Sequence, residues 1–115
     1  MMFPKRDFKK KRKKHKDSIM QHKDRRCYLC MKLEDNDTYH TVLHEHHAFG
    51  GANRDNSEAE GLKVYLCVNH HVNGPAAVHN NQKNMRLIQQ DAQRAYERTH
   101  SREEFMELFG RNYLE

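Results

Sequence analysis

The sequence predicts a small α+β domain that is stabilised by a bound metal ion rather than by a large apolar core. Only 36% of the 115 residues are hydrophobic, and the mean hydropathy is -1.18. Small domains that bury little apolar surface usually add a metal, disulfides or a partner. Three cysteines cannot all pair in disulfides, and two pairs of candidate ligands share one spacing. Strand patterns in the first half and helix patterns in the second complete the prediction.

A basic arm precedes the predicted domain. Residues 1–26 hold 12 Lys or Arg against 3 Asp, whereas residues 27–115 hold 9 against 13 acidic residues. The arm has no apolar periodicity and repels itself, so we expect it to be flexible. Such a cation run displaces counterions from nucleic acid, which predicts a phosphate-binding arm; a solvated tail and a nuclear-import signal are the alternatives. The candidate contacts are Lys9, Lys10, Lys11, Arg12, Lys13 and Lys14.

Two short strands are predicted next. Residues 38–47 are enriched in Thr, Tyr and Val, which favours a strand ending in His44-Glu45-His46-His47. Paired glycines mark residues 49–53 as a loop, and residues 61–67 form the second predicted strand. Asn73-Gly74-Pro75 is a predicted turn.

Two helices are predicted at the C-terminal end. Apolar residues at helical spacing favour a long amphipathic helix over about residues 78–99. Ser101-Arg102-Glu103-Glu104 has the form of a capping box, which predicts a second helix over about residues 102–109, ended by Gly110. We expect the apolar side chains of both helices to belong to the core.

Cys27-x2-Cys30 and Cys67-x2-His70 are two candidate ligand pairs of equal length. We expect a tight turn at residues 27–32, and a two-residue gap lets both side chains of such a turn reach one tetrahedral ion. Two such turns form a four-ligand site, which supplies folding free energy that a small core lacks. His71 is the alternative fourth ligand, but the matched spacing favours His70. The predicted ligands of a structural Zn²⁺ are therefore Cys27, Cys30, Cys67 and His70.

Four polar, titratable residues, His44-Glu45-His46-His47, end the first predicted strand. Successive side chains alternate between the faces of a strand, so His46 and His47 point in opposite directions. One of them can therefore hold a metal ion while the other addresses a water molecule or a substrate. A single histidine is more often a surface or core residue, but four such groups between the halves of a predicted metal site indicate a functional site.

The order Cys-x2-Cys, Glu-His-His-Ala-Phe-Gly-Gly, Leu-Cys-x2-His-His resembles the HNH endonucleases with a zinc knuckle, which belong to the ββα-metal (His-Me finger) superfamily. More closely, the chain looks like small HNH proteins encoded by bacteriophages, and the resemblance covers about residues 27–80. The resemblance implies a ββα-metal core with a zinc knuckle, followed by C-terminal helices and preceded by the arm. Residues 1–26 would then be the nucleic-acid-binding arm and residues 27–115 the nuclease domain.

The resemblance also implies site residues. His47 matches the general base, His46 a metal ligand, and His71 the other metal ligand. His79 becomes the better ligand if residues 72–75 are an insertion before the helix. The implied cofactor is Mg²⁺ or another divalent cation, and the implied reaction is phosphodiester hydrolysis that leaves a 5′-phosphate and a 3′-hydroxyl. Arg54, after the glycine loop, is a candidate contact to DNA.

One residue of the family pattern is missing. The middle asparagine of the family precedes the leucine of the returning strand, where this chain has Gly61. Asn53, Asn56 or a backbone carbonyl are the candidates for orienting His47 in its place. A protein that kept the fold and lost the activity is compatible with this difference.

The sequence therefore favours a metal-dependent DNA endonuclease. The alternatives are a non-catalytic, zinc-supported nucleic-acid-binding protein and an interaction module of a phage packaging or recombination complex. The module requires an exposed apolar stripe around Phe105 and Phe109. A single ββα unit has one active site, so cutting both strands requires a homodimer or two successive nicks. No run of about 18 apolar residues and no signal peptide are present, so we expect a cytoplasmic protein with no membrane partner. The resemblance to bacteriophage proteins implies that it acts inside a bacterial host cell.

Overall fold

The structure, a computed structural model, describes residues 15–114 and confirms a small α+β fold. A short 3-10 turn precedes the second helix, and a π-helical turn follows the second strand. Within the described residues, no helix has the length and apolar character needed to cross a bilayer. The elements are α1 (Tyr28–Glu34), β1 (His44–His47), the 3-10 turn (Gly51–Asn53), α2 (Arg54–Glu60), β2 (Lys63–Leu66), the π turn (Asn69–Asn73), α3 (Gln82–Tyr96) and α4 (Arg102–Phe109).

The sheet has two antiparallel strands. His44 lies opposite Leu66 and His47 opposite Lys63, and the Ala48 N–H extends the ladder by donating to the Leu62 carbonyl at 2.9 Å. The second strand lies within the predicted residues 61–67. The first is shorter than predicted, because only the last four residues of 38–47 pair with β2.

Residues 15–26 lie along the edge of β2 that does not pair with β1. The Ile19 N–H donates to the Gly61 carbonyl at 2.9 Å, and the Ser18 hydroxyl donates to the Lys63 carbonyl at 2.6 Å. The Tyr65 N–H in turn donates to Gln21 Oε1 at 2.8 Å. Side chains thus satisfy polar groups that an edge strand otherwise exposes. The last part of the predicted arm therefore packs on the domain, while Lys9 to Lys14 lie outside the described residues.

Two helices differ from the sequence-based expectation. The predicted tight turn at residues 27–32 is the start of α1, where Cys27 is the N-cap and its sulfur accepts from the Cys30 N–H at 3.4 Å. The helix continues to Glu34 because the next residues are good helix formers. Helix α2 was not predicted, since its sequence is polar and shows no apolar periodicity; only Ser57 is buried.

The C-terminal helices enclose an aromatic core. Helix α3 begins later than predicted because Asn81 caps it, its side chain accepting from the Asn84 N–H. The predicted capping box at Ser101 is present in α4. Phe105 and Phe109 are only 0% and 3% exposed, and both rings pack against Phe49. These two residues therefore do not supply the exposed apolar stripe that the interaction-module hypothesis requires.

Candidate metal centres

The four predicted zinc ligands meet in one buried cluster. Their ligand atoms lie within 4.8 Å of one another. His70 Nδ1 is 3.6 Å from Cys27 Sγ and 3.3 Å from the sulfurs of Cys30 and Cys67, and the last two sulfurs are 3.8 Å apart. A tetrahedral zinc ion with ordinary bond lengths would place sulfurs about 3.8 Å apart and sulfur and nitrogen about 3.5 Å apart. The cluster could therefore bind a metal ion such as zinc.

The pKa values of the buried thiols are also consistent with a site for a metal cation. Burial raises the pKa of the Cys27 thiol, and burial together with the neighbouring Cys27 and Cys67 raises the pKa of the Cys30 thiol. Three buried thiolates would repel one another without a compensating charge. A divalent cation supplies that charge and stabilises the deprotonated sulfur.

Two further side chains touch the cluster from outside. His70 Nε2 is 3.0 Å from Glu34 Oε2, so the carboxylate accepts from the ring and leaves Nδ1 free to face the sulfurs. His40 Nε2 is 3.7 Å from Cys30 Sγ. A carboxylate behind a metal-binding histidine is the usual arrangement that fixes its tautomer. Neither Glu34 nor His40 was singled out from the sequence.

The π turn directs two adjacent histidines to different sites. Neighbouring side chains of a helical turn point in different directions, so His70 faces the cysteines while His71 faces His44 and His46 of β1. The following loop folds back over the turn: the Val78 N–H donates to the His70 carbonyl at 2.8 Å, and Asn80 Nδ2 donates to the Val72 carbonyl at 2.9 Å. This return brings His79 beside His71.

A second candidate metal site consists of three histidines. The ring nitrogens of His46, His71 and His79 lie within 4.8 Å of one another. The Nε2 atoms of His71 and His79 are 3.2 Å apart. Two imidazole nitrogens on one tetrahedral zinc ion would be about 3.3 Å apart. The sequence offered His71 and His79 as alternatives, whereas the structure brings both to His46.

His46 has the features of a metal ligand, because a nitrogen of its buried ring makes no hydrogen bond to the described residues. It is 6% exposed, and its buried Nε2 has no hydrogen-bond partner among residues 15–114. Burial, followed by the proximity of His71, His79 and His47, lowers the pKa of His46 to about 4. The ring is therefore neutral near pH 7, which is the form that binds metal ions. An unpaired buried nitrogen costs on the order of 1–3 kcal/mol, and a bound cation would offset that cost.

His44 supports this site from the side. Its Nδ1 is 2.8 Å from His71 Nδ1, so one ring donates to the other and the Nε2 of His71 is left to face His79. His44 and His46 share one face of β1, as the alternation of a strand requires. The sequence pointed to this face but gave His44 no role.

His47 points to the other face of β1 and contacts α2. Its Nε2 is 2.7 Å from Glu58 Oε1, and Glu58 also contacts Lys63 Nζ at 3.0 Å. His47, Glu58 and Arg54 line one surface hollow, together with Asp55. The predicted general base and the predicted DNA-contacting arginine are thus neighbours. Glu58 was missed because α2 carries no pattern that predicts which side chains face β1.

The asparagine candidates do not reach His47. Asn53 Nδ2 donates to the Phe109 carbonyl at 3.1 Å, and Asn56 Nδ2 donates to the Leu108 carbonyl at 3.2 Å. Both side chains therefore satisfy the carbonyls at the end of α4. Gly61 has a positive φ of 72°, and a Cβ there would collide with the backbone oxygen of Asp17. A side chain at position 61 would therefore require the N-terminal segment to move away.

Comparisons of the chain with protein-family models, with curated proteins and with solved structures gave no match. The resemblance to HNH endonucleases therefore stays a prediction from the sequence motifs.

Proposed function

We propose that the chain is a metal-dependent DNA endonuclease of the HNH type, which hydrolyses phosphodiester bonds at the site formed by β1, α2 and the π turn. The observation that supports this best is the convergence of His46, His71 and His79 on one face of β1, while the adjacent His47 points to the other face and contacts α2. Three clustered imidazole rings and a histidine on the opposite strand face match the division of roles expected from the sequence.

The two clusters have separate tasks in this proposal. The cluster of Cys27, Cys30, Cys67 and His70 is a structural zinc knuckle, since all four positions are taken by protein ligands. The three-histidine cluster offers three protein ligands, which is the arrangement of sites that keep a position for water or substrate.

The residues of the chain perform the remaining steps. His47 accepts the proton of the attacking water. Arg54 holds a phosphate at the hollow that it shares with His47. A divalent cation bound by the three histidines would neutralise charge on the scissile phosphate and stabilise the leaving oxygen. The basic arm adds affinity for the duplex that does not depend on its sequence.

The ligand set also bears on the choice of metal. Imidazole nitrogen suits zinc, nickel, copper and iron, whereas Mg²⁺ prefers oxygen ligands. His46, His71 and His79 offer nitrogen only. We therefore expect a transition-metal ion to bind this site more tightly than Mg²⁺ does.

The proposal is tested by plasmid cleavage with Mg²⁺, Mn²⁺, Co²⁺ or Ni²⁺ added to the zinc-loaded protein. We expect His47→Ala to reduce kcat by about 10²- to 10⁴-fold. His46→Ala and His79→Ala should lose the second metal equivalent in calorimetric titrations while the first remains. His22→Ala is the matched control, because this exposed histidine lies outside both clusters.

Equal cleavage by the native chain and by His47→Ala would refute the nuclease assignment at this site. DNA binding without cleavage under every metal would favour the non-catalytic binding protein instead. Zinc removal is not a substitute for these variants, because loss of the knuckle metal would unfold the domain.

A further inference from the structure

We propose that Glu58 is a positioning residue that orients His47 as the base, in the place of the missing asparagine. The inference rests on the proposed nuclease function and names a residue on an element that the sequence did not predict. Four observations support it. They are the contact between His47 and Glu58, the hydrogen bonds that anchor Glu58, the exclusion of other side chains, and the position of the Lys63 ammonium group beside both Glu45 and Glu58.

The contact determines which nitrogen of His47 can act. His47 Nε2 is 2.7 Å from Glu58 Oε1, and an ionised carboxylate only accepts hydrogen bonds. The hydrogen of the neutral ring therefore lies on Nε2, and the lone pair lies on Nδ1. Among residues 15–114 no hydrogen-bond partner of Nδ1 is present. Nδ1 is thus the nitrogen available to accept a proton from water.

Glu58 is held in the ionised form and in one orientation. Its Oε2 accepts from His15 Nδ1 at 2.9 Å and from Lys63 Nζ at 3.0 Å. The hydrogen bonds from His15 and His47, followed by that from Lys63, lower the pKa of Glu58 to about 2. Lys63 is itself 5% exposed and sits opposite His47 in the sheet, so the carboxylate is fixed against the same strand pair.

Other side chains cannot take this role. Gly61 has no room for a side chain, and Asn53 and Asn56 are bonded to the carbonyls at the end of α4. Within the described residues, the hydrogen bond to Glu58 is the one that the His47 ring makes. Glu58 of α2 therefore takes the role of orienting His47 that the asparagine has in the family.

A metal site at the same place is the competing interpretation, since Glu45, His47 and Glu58 also bring three ligand atoms within 4.8 Å. Lys63 Nζ already lies 3.1 Å from Glu45 Oε2 and 3.0 Å from Glu58 Oε2. Its ammonium group lies within ion-pair distance of both carboxylates and balances one of their two negative charges. The arrangement therefore suits the orientation of His47 and not the capture of a second cation.

The test compares Glu58→Gln, which keeps the size of the side chain, with Glu58→Asp, which keeps the charge. Glu60→Gln is the matched control, because Glu60 lies on the same helix outside the hollow. Nitrogen-15 NMR of the histidine rings in the zinc-loaded full chain reports the tautomer of His47, and plasmid cleavage gives kcat and KM. Zinc content and thermal unfolding identify any variant that fails to fold.

We expect His47 to be the Nε2–H tautomer in the native chain and a mixture in Glu58→Gln. The kcat of Glu58→Gln should fall on the order of 10²-fold with little change in KM, because a misplaced base slows the chemical step rather than binding. Glu58→Asp should recover part of the rate, and Glu60→Gln should match the native chain.

Several results would overturn the inference. They are an Nδ1–H tautomer in the native chain, an unchanged kcat in folded Glu58→Gln, or a loss confined to KM. Cleavage that does not depend on Glu58 refutes this inference alone. A native chain that cleaves no DNA refutes the proposed function and, with it, the catalytic role of Glu58.

Discussion

The histidines of the two candidate metal sites differ in the hydrogen-bond partners of their ring nitrogens. His70 faces three sulfurs because Glu34 accepts from its other nitrogen, and His71 faces His79 because His44 occupies its Nδ1. His46 has no such partner among the described residues. For His70 the tautomer, and hence the candidate ligand atom, is therefore set by Glu34, a residue distant in sequence.

Glu34 provides a direct test of this principle at the knuckle. We expect Glu34→Gln to weaken zinc binding by about 10- to 100-fold, because loss of the carboxylate partner lowers the basicity of His70 and frees its ring. Competition with a chromophoric chelator measures the affinity. Glu103→Gln on the exposed side of α4 is the control. An unchanged zinc affinity in Glu34→Gln would show that the contact is incidental.

The candidate ligands could be predicted from the sequence, but the residues that contact and orient them could not. Equal spacing predicts the cluster of Cys27, Cys30, Cys67 and His70, because the members of each pair are close together in sequence. Strand alternation assigns His46 and His47 to different faces. Glu58 and Glu34 reach their partners only through tertiary packing, which leaves no periodic signal in a short polar helix.

At the scale of elements, the site depends on how tightly the chain turns between them. Helix α2 ends at Gly61 in the left-handed conformation, and β2 begins two residues later. The same glycine lets residues 15–26 approach β2 closely, because its carbonyl accepts from the Ile19 N–H. One small residue therefore joins α2, β2 and the N-terminal segment, and it places Glu58 and Lys63 side by side.

Gly61→Ala should lower the free energy of unfolding by about 1–3 kcal/mol, from the strained φ together with the collision at Asp17. Chemical denaturation measures the loss. Hydrogen exchange should show weaker protection of the Ile19 and Tyr65 amides, because the N-terminal segment must move away from β2.

Two other glycines separate the causes of that loss. Gly50→Ala introduces a Cβ into open space at an ordinary φ, so it should change stability little. Gly110→Ala introduces a Cβ into open space at φ 89°, so it should reveal the cost of the backbone conformation alone. If Gly61→Ala costs no more than Gly110→Ala, the close approach of the N-terminal segment does not matter.

At the scale of the whole molecule, charge is divided between a basic start and a mildly acidic remainder. Residues 27–115 hold 9 basic and 13 acidic residues, so this part alone is poorly suited to a polyanion. The sequence placed the entire run of residues 1–26 in one arm. The structure divides it, since residues 15–26 cover β2 and His15 contacts Glu58. Composition cannot reveal such a boundary, because Ser18 and Gln21 hold β2 through individual hydrogen bonds.

Deletion of residues 2–14 should therefore reduce DNA affinity without disturbing the fold. The deleted segment carries eight Lys and Arg, and each phosphate contact contributes about 0.9 to the slope of log K against log salt concentration. The slope should become shallower by as much as about 7, as measured by fluorescence anisotropy across a salt series.

Replacing the same eight cations with Gln in the full-length chain is the matched control, and it should reproduce the effect at constant length. Zinc content and kcat at saturating DNA should stay close to native in both, because the knuckle, His47 and Glu58 are retained. A salt slope equal to that of the native chain would show that the arm does not contact phosphate and that the folded domain binds DNA by itself.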